Sequence, residues 1–134
     1  MELTESTKKD LDISQINSLM DSVGWHDHRG PGKWQEILDK SAFVYSVHDG
    51  DKLVGFGRIL EDGVMCMFYD IMVHNDYQGR GIGKMVMNNL LDFVKDKDYI
   101  SVSLFAWPEN KDFLLPFYRK FGFELHETGM RLKK

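Results

Sequence analysis

The sequence predicts a mixed α+β domain, a layer of strands flanked by about four helices, and three observations carry that prediction. Apolar residues recur at helical spacing in separate blocks before residue 41 and again after residue 81. Between those blocks lie three segments rich in β-branched and aromatic residues, parted by turns that contain Asp-Gly. The last third again alternates strand-like and helix-like patterns, and no internal repeat or low-complexity tract divides the chain, so 1–134 reads as a single domain.

Ser14 stands before Ile16, Leu19, Met20 and Val23, whose spacing gives one apolar helical face, and Gly24 is placed to end it; a first helix is expected near 14–23. The loop-forming stretch Arg29-Gly30-Pro31-Gly32 leads to a second helix at Trp34–Lys40. Phe43–Val47, Leu53–Leu60 and Met65–Val73 then form an antiparallel meander. Its turns, Asp49-Gly50-Asp51 and Glu61-Asp62-Gly63, hold residues that accept positive φ. Ile82, Met85, Val86, Leu90, Phe93 and Val94 mark a long helix to about residue 95. Ile100–Phe105 alternates as a strand. Phe113–Phe121 reads as a short helix that begins or kinks at Pro116, Gly122 stops it, and Phe123–Leu132 supplies one or two final strands.

Composition excludes several classes. The formal net charge of -4 gives no overall attraction to a phosphate backbone or an anionic membrane, so neither nucleic acid nor membrane is an expected partner. The lone Cys66 permits no intramolecular disulfide and no cysteine-held zinc, and its apolar surroundings suggest an inert thiol. His26, Asp27 and His28 are close in sequence, but a third ligand element is not evident, so no metal is expected. The polar N-terminus has no apolar export core and no run reaches the roughly 20 apolar residues of a membrane span, which leads to the expectation of a cytoplasmic protein.

The segment that carries chemistry is a strand, a short turn and a helix: Tyr69–Val73, His74–Tyr77, then Gln78-Gly79-Arg80-Gly81-Ile82-Gly83-Lys84. Glycines in alternate positions at a helix N-terminus leave backbone N–H groups uncovered where the helix dipole favours an anion. The nucleotide P-loop does not fit, because Gln78 replaces its first glycine and Met85 follows Lys84. The dinucleotide fingerprint fails too, since Lys84 occupies its third glycine and the preceding strands are hairpins.

Gln78, Gly81 and Gly83 after a strand resemble the Gln/Arg-x-x-Gly-x-Gly/Ala motif of the GCN5-related N-acetyltransferase superfamily, and Tyr118-Arg119-Lys120-Phe121-Gly122-Phe123 resembles its Tyr-x-x-x-Gly-Phe segment. The resemblance implies that fold: a mostly antiparallel twisted sheet of six to seven strands, splayed between strands 4 and 5. It also implies acetyl-CoA as co-substrate, its pyrophosphate held by the backbone of Gly79, Arg80, Gly81, Ile82, Gly83 and Lys84, and its pantetheine paired with Ile71, Met72 and Val73. Arg80 and Lys84 would add charge-assisted contacts to phosphate. Asn110 and Phe117 join the cofactor set, although relatives often place the Asn seven residues before the tyrosine, where this chain has Lys111.

Acyl transfer to an amine needs a neutral amine, donors for the developing negative charge and a proton for the thiolate. The resemblance gives Tyr118 the third task, and the backbone N–H of Met72 is a candidate for the second. Asp70, a carboxylate in an apolar strand where burial would raise its pKa, is the candidate base, with a salt-bridged Asp70, Tyr69 or a water chain as alternatives. Trp25, Trp34, Phe68 and Trp107 are candidates for an aromatic acceptor wall. Leu104-Phe105-Ala106 resembles a small-molecule branch that includes arylalkylamine acetyltransferases, which implies a small primary amine as acceptor. A protein acceptor and a non-catalytic CoA-binding module are the alternatives, and a homodimer through an exposed C-terminal strand edge is a further expectation.

Overall fold

The computed structural model describes every residue except Met1 and His28. The chain divides into a larger unit ending at Leu104 and a smaller one, Phe105–Lys134.

The larger unit is built on a five-stranded sheet in the order β1-β2-β3-β4-β5: β1 Leu3–Ser6, β2 Phe43–Asp49, β3 Lys52–Glu61, β4 Met65–Val73 and β5 Ser101–Leu104. The first four pair antiparallel, and β5 pairs parallel with β4. A parallel neighbour cannot be reached by a hairpin, and the crossover is α3, Ile82–Val94. One face of the sheet carries α1, Ile13–Ser22, and α2, Pro31–Lys40. Ile16, Leu19 and Met20 of α1 and Trp34 and Leu38 of α2 form a core with Val44, Leu53, Phe56 and Met72 of the strands. Trp34 meets Phe56 edge-on at 6.0 Å.

The other face carries α3, and two glycines let it sit close. A Cβ on Gly55 would stand 2.6 Å from the Ile82 side chain, and one on Gly57 would stand 2.7 Å from Val86 and 3.1 Å from Leu90. The row Ile82, Val86, Leu90 on α3 therefore lies directly on the backbone of β3, a use of strand-interior glycine that brings two main chains together.

Local differences from the sequence reading have local causes. The first helix is capped by Asp12, whose Oδ1 accepts from the Ser14 N–H at 2.9 Å and the Ser14 hydroxyl at 2.7 Å; Ser14 lies inside the first turn. The second helix starts three residues early because Pro31 takes the first helical position, where no N–H is needed. β1 lies in a stretch read only as polar; its register against β2 is completed by the Tyr45 hydroxyl donating to the Glu5 carboxylate.

The sheet has five strands, not six to seven. Phe123–Leu132 forms none, and Leu125, Met130 and Leu132 are exposed. The alternation of apolar residues there does not make a strand, and the edge strand nearest the C-terminus is β5, Ser101–Leu104. In the smaller unit α4 runs Lys111–Arg119, with Pro116 inside the helix and not at its start. Pro116 and Asp112, whose carbonyl the proline cannot bond, are both exposed, so water can reach the gap.

Candidate active site

β4 is longer than its parallel neighbour β5. It pairs with β5 from Met65 to Phe68 and then continues through Tyr69–Val73 with β3 alone, because β5 ends at Leu104. Between the pairs Arg58↔Tyr69 and Phe56↔Met72 the β3 strand advances two residues and β4 three. The extra residue makes a bulge, at which Asp70 adopts φ 54, the sole non-glycine with positive φ among the described residues.

Beyond the bulge the alternation is regular. The His74 N–H donates to the Val54 carbonyl at 2.8 Å, so the backbone of Met72, two residues earlier, also faces β3, while Val73 and Ile71 turn to the open side. The Gln78 side-chain amide donates to the Val73 carbonyl at 3.3 Å from that side. This corrects the choice of Met72 as a backbone donor: its N–H is directed into the sheet and its side chain is buried. Ile71 and Val73, both half-buried, hold the positions whose backbone faces away from β3.

The chain then passes a single turn at Asn75–Tyr77 into the glycine-rich segment. Gly79 and Gly81 adopt φ 78 and φ 81, and an added Cβ at either would meet no heavy atom within 4 Å. Gly81 starts α3 without a side-chain cap, and the first backbone bond returning to it comes from Met85. The N–H groups of Ile82, Gly83 and Lys84 have no intrahelical acceptor, which is the property an anion cradle requires. Gly55 fixes where the cradle lies: it pairs with Val73 on one side and underlies Ile82 on the other. The Tyr77 hydroxyl donates to Asp49 at 2.5 Å, and Arg80 and Lys52 each lie 5.2 Å from the Tyr77 ring centroid.

Asp70 is held by two arginines. Arg29 Nη1–H donates to Oδ2 at 2.9 Å and Nη2–H to Oδ1 at 3.1 Å, while Arg58 Nε–H donates to Oδ2 at 2.7 Å. Arg29 lies 4.8 Å over the Trp34 ring and Arg58 5.1 Å over Tyr69. Burial pushes the Asp70 carboxyl up, but the hydrogen bonds and charges of both arginines outweigh it, so its pKa lies below the ordinary 3.8. The expectation of a raised pKa is corrected. A carboxylate whose ionised form is stabilised in this way is a weak base. Sequence patterns did not mark Arg29 as its partner; a charged Arg58 amid apolar strand residues was the available signal.

Asn110, Phe117 and Tyr118 lie in the smaller unit. Asn110 precedes α4 without capping it through its side chain. Phe117 stacks on Phe113 at 5.9 Å and meets Tyr118 edge-on at 5.3 Å. Tyr118 is buried, which pushes its pKa up to about 12 and keeps the phenol protonated at neutral pH. Of the expected aromatic wall, Trp34 and Phe68 are core residues; Trp25 is partly buried against that core and Trp107 is nearly half exposed. His28 lies outside the described residues, and among those described no cluster of three metal-ligating side chains forms. A surface concavity of about 420 Å³ is lined by Arg119, Gly122, Phe123, Glu124 and Leu125, none of them a candidate site residue. No helix among the described residues is long and apolar enough to cross a membrane.

Residues 11–123 match the acetyltransferase (GNAT) family. The chain belongs to this family. The chain is 32% identical over 131 residues to the uncharacterized N-acetyltransferase ycf52 of Porphyra purpurea, covering 94% of this chain and 72% of that protein. It is 28% identical over 138 residues to a Glycine max protein named histone acetyltransferase TAP1, covering 94% of this chain and 58% of that one. A GNAT family acetyltransferase from Streptococcus pneumoniae TIGR4 superposes with a TM-score of 0.80 at 28% identity, over 99% of this chain and 98% of the other. As a GNAT acetyltransferase, the chain is an acetyl-transferring enzyme, and the family generally draws its acetyl group from acetyl-CoA.

Proposed function

We propose that this acetyltransferase moves the acetyl group of acetyl-CoA to the primary amine of a small molecule, by direct attack while both substrates are bound. One observation carries the reading: β4 loses its β5 neighbour after Phe68 and runs on, without a strand partner on that side, to the uncapped N-terminus of α3. An extended arm rich in amides pairs with an open strand edge, and a pyrophosphate pairs with uncovered N–H groups. The chain offers the two in succession. The space around Gly79 and Gly81 admits close approach of phosphate to backbone, so the residues present fit the group.

When bound, acetyl-CoA supplies an activated thioester. The backbone from Gly79 to Lys84 holds the pyrophosphate, with Arg80 and Lys84 adding charge, and Ile71 and Val73 orient the arm through their outward-facing backbone. Tyr118, protonated at neutral pH, provides the proton for the departing thiolate. The strongly paired Asp70 leaves removal of the amine proton to Tyr69 or to water. The small-molecule acceptor is supported by the sequence around Leu104-Phe105-Ala106, and the negative net charge suits a cationic amine. The soybean relative's name favours a second reading, acetylation of a protein amine.

Calorimetric titration of acetyl-CoA into the wild type and into Gly81→Trp tests the reading. Binding to the wild type that disappears in a variant with an unchanged circular dichroism spectrum supports it, and absence of wild-type binding overturns it. Thiol release with phenethylamine, spermidine and a lysine-containing peptide as acceptors then separates the two acceptor classes.

A further inference from the structure

We propose that Arg29 and Arg58 are positioning residues for acetyl transfer, forming with Asp70 a clamp that sets the β4 bulge and thereby the direction in which Ile71 and Val73 present their backbone. The inference rests on the reading of β4 as the edge that receives the thioester arm.

The first step is geometric. Because side-chain and backbone directions alternate along a strand, one inserted residue reverses every direction after it. Without the extra residue between Tyr69 and Met72, Met72 would turn its backbone outward, and Ile71 and Val73 would turn theirs to β3. The bulge thus decides which amides face the open side.

The second step asks what holds the bulge. Asp70 occupies a left-handed conformation that is unfavourable for a residue with a side chain, within a strand that otherwise favours extended backbone. Its carboxylate is nine-tenths buried and takes three hydrogen bonds from two guanidinium groups. Charge-assisted bonds of this kind, two of them bidentate from one arginine, are among the stronger polar interactions in a protein. They are made only when Asp70 points as the bulge directs it.

The third step is that the clamp joins three elements. Arg58 comes from β3 and also approaches the Ser41 hydroxyl at 3.4 Å, just past the end of α2. Arg29 comes from the α1–α2 connection, and its own carbonyl accepts from the Asn17 side-chain amide at 3.2 Å, which in turn accepts from the Trp34 indole N–H at 3.2 Å. Among the described residues the groups facing Asp70 are thus two arginines, each backed by an aromatic ring, with Asp27 acting on Arg29 through space. Among the described residues these include no second acid beside Asp70 to share a proton with it. The arrangement suits a fixed anion that orients backbone, not a group that takes up a proton in each turnover.

The test compares wild type, Asp70→Asn and Arg29→Gln. Asparagine accepts the left-handed conformation, so Asp70→Asn removes the charge and leaves the backbone option open. In the free protein, amide hydrogen exchange at Met72 and His74, whose N–H groups face β3, is expected to quicken about tenfold in both variants, while exchange in β2 stays unchanged. With acetyl-CoA and phenethylamine as probes, the rate is expected to fall while the ascending limb of the pH profile keeps its midpoint. Unchanged exchange at Met72 and His74 in Arg29→Gln overturns the clamp, as does loss of the ascending limb in Asp70→Asn, which would make Asp70 the base. If Asp70→Asn does not fold, Arg29→Gln, altered at a partly exposed side chain, carries the comparison alone. Failure of the wild type to bind acetyl-CoA sinks the proposed function separately, since the exchange measurement is made without it.

Discussion

Gly55 lies beneath Ile82 so closely that a Cβ on the glycine would stand 2.6 Å from the isoleucine side chain and 3.2 Å from that of Val47. Ile82 is the first residue of α3 and is itself buried, so it has little room to swing aside. Gly55→Ala is therefore expected to cost roughly 1–3 kcal/mol of stability through overpacking. The same push lifts the α3 N-terminus from Val73, so acetyl-CoA affinity should fall with it. Thermal unfolding and calorimetry on the one variant check both, and a stable variant with undiminished affinity would show that the cradle does not depend on this contact.

Asp70 makes acid stability diagnostic. Its folded pKa is depressed below its ordinary 3.8, so the stability it contributes is fully present above about pH 4 and is lost as pH falls through the depressed folded value. Asp70→Asn should be less stable than wild type at neutral pH, and the gap should close on acidification below pH 4. Urea unfolding at a series of pH values measures this, and a gap that stays constant with pH would mean that the carboxylate is not favoured by its arginines.

Tyr77 ties the phosphate segment to the sheet through its hydroxyl, which donates to Asp49 at the end of β2. That bond also raises the Tyr77 pKa, with a further contribution from burial. Tyr77→Phe keeps the ring that Lys52, Arg80 and His74 approach and removes only the tether. The expected result is faster amide exchange over 75–81 and a raised KM for acetyl-CoA with kcat unchanged. A change in kcat alone would place Tyr77 elsewhere in the reaction.

The parts of the fold that sequence made legible are those fixed by local chemistry. β4 begins and ends where it was read, at Met65 and Val73, because Gly63 turns the chain before it and the glycine-rich segment follows. The long helix starts at Ile82, where uncapped glycines and helical spacing coincide. What escaped is non-local. Asp70 finds its partners 12 and 41 residues away in sequence, and burial considered alone gave the wrong direction for its pKa. β1 is polar in letters and becomes a strand only through its pairing with β2. Phe123–Leu132 shows the converse, since an alternating pattern does not make a strand without a partner. The alternate glycines 55 and 57 were visible in the sequence, and their spacing on one strand face was the missed signal for a helix lying on β3.

Tyr118 has its pKa pushed up to about 12 by burial, so across the neutral range it is a proton donor and not a base. If it supplies the thiolate's proton, Tyr118→Phe should lower kcat about 100-fold, the lower end for loss of a positioned acid, while acetyl-CoA affinity changes little. The ring contacts with Phe117 and Phe123 do not need the hydroxyl, so the variant should fold. Its pH profile should keep the ascending limb, because a phenol with so high a pKa does not titrate there. The raised pKa also means that the phenol's contribution to stability is present below about pH 10 and is lost as pH rises through about 12, so Tyr118→Phe should resist alkaline unfolding relative to wild type. Single-turnover thiol release and alkaline melting measure the two effects independently. An unchanged kcat beside an altered alkaline melt would make Tyr118 a packing residue and hand the proton to water.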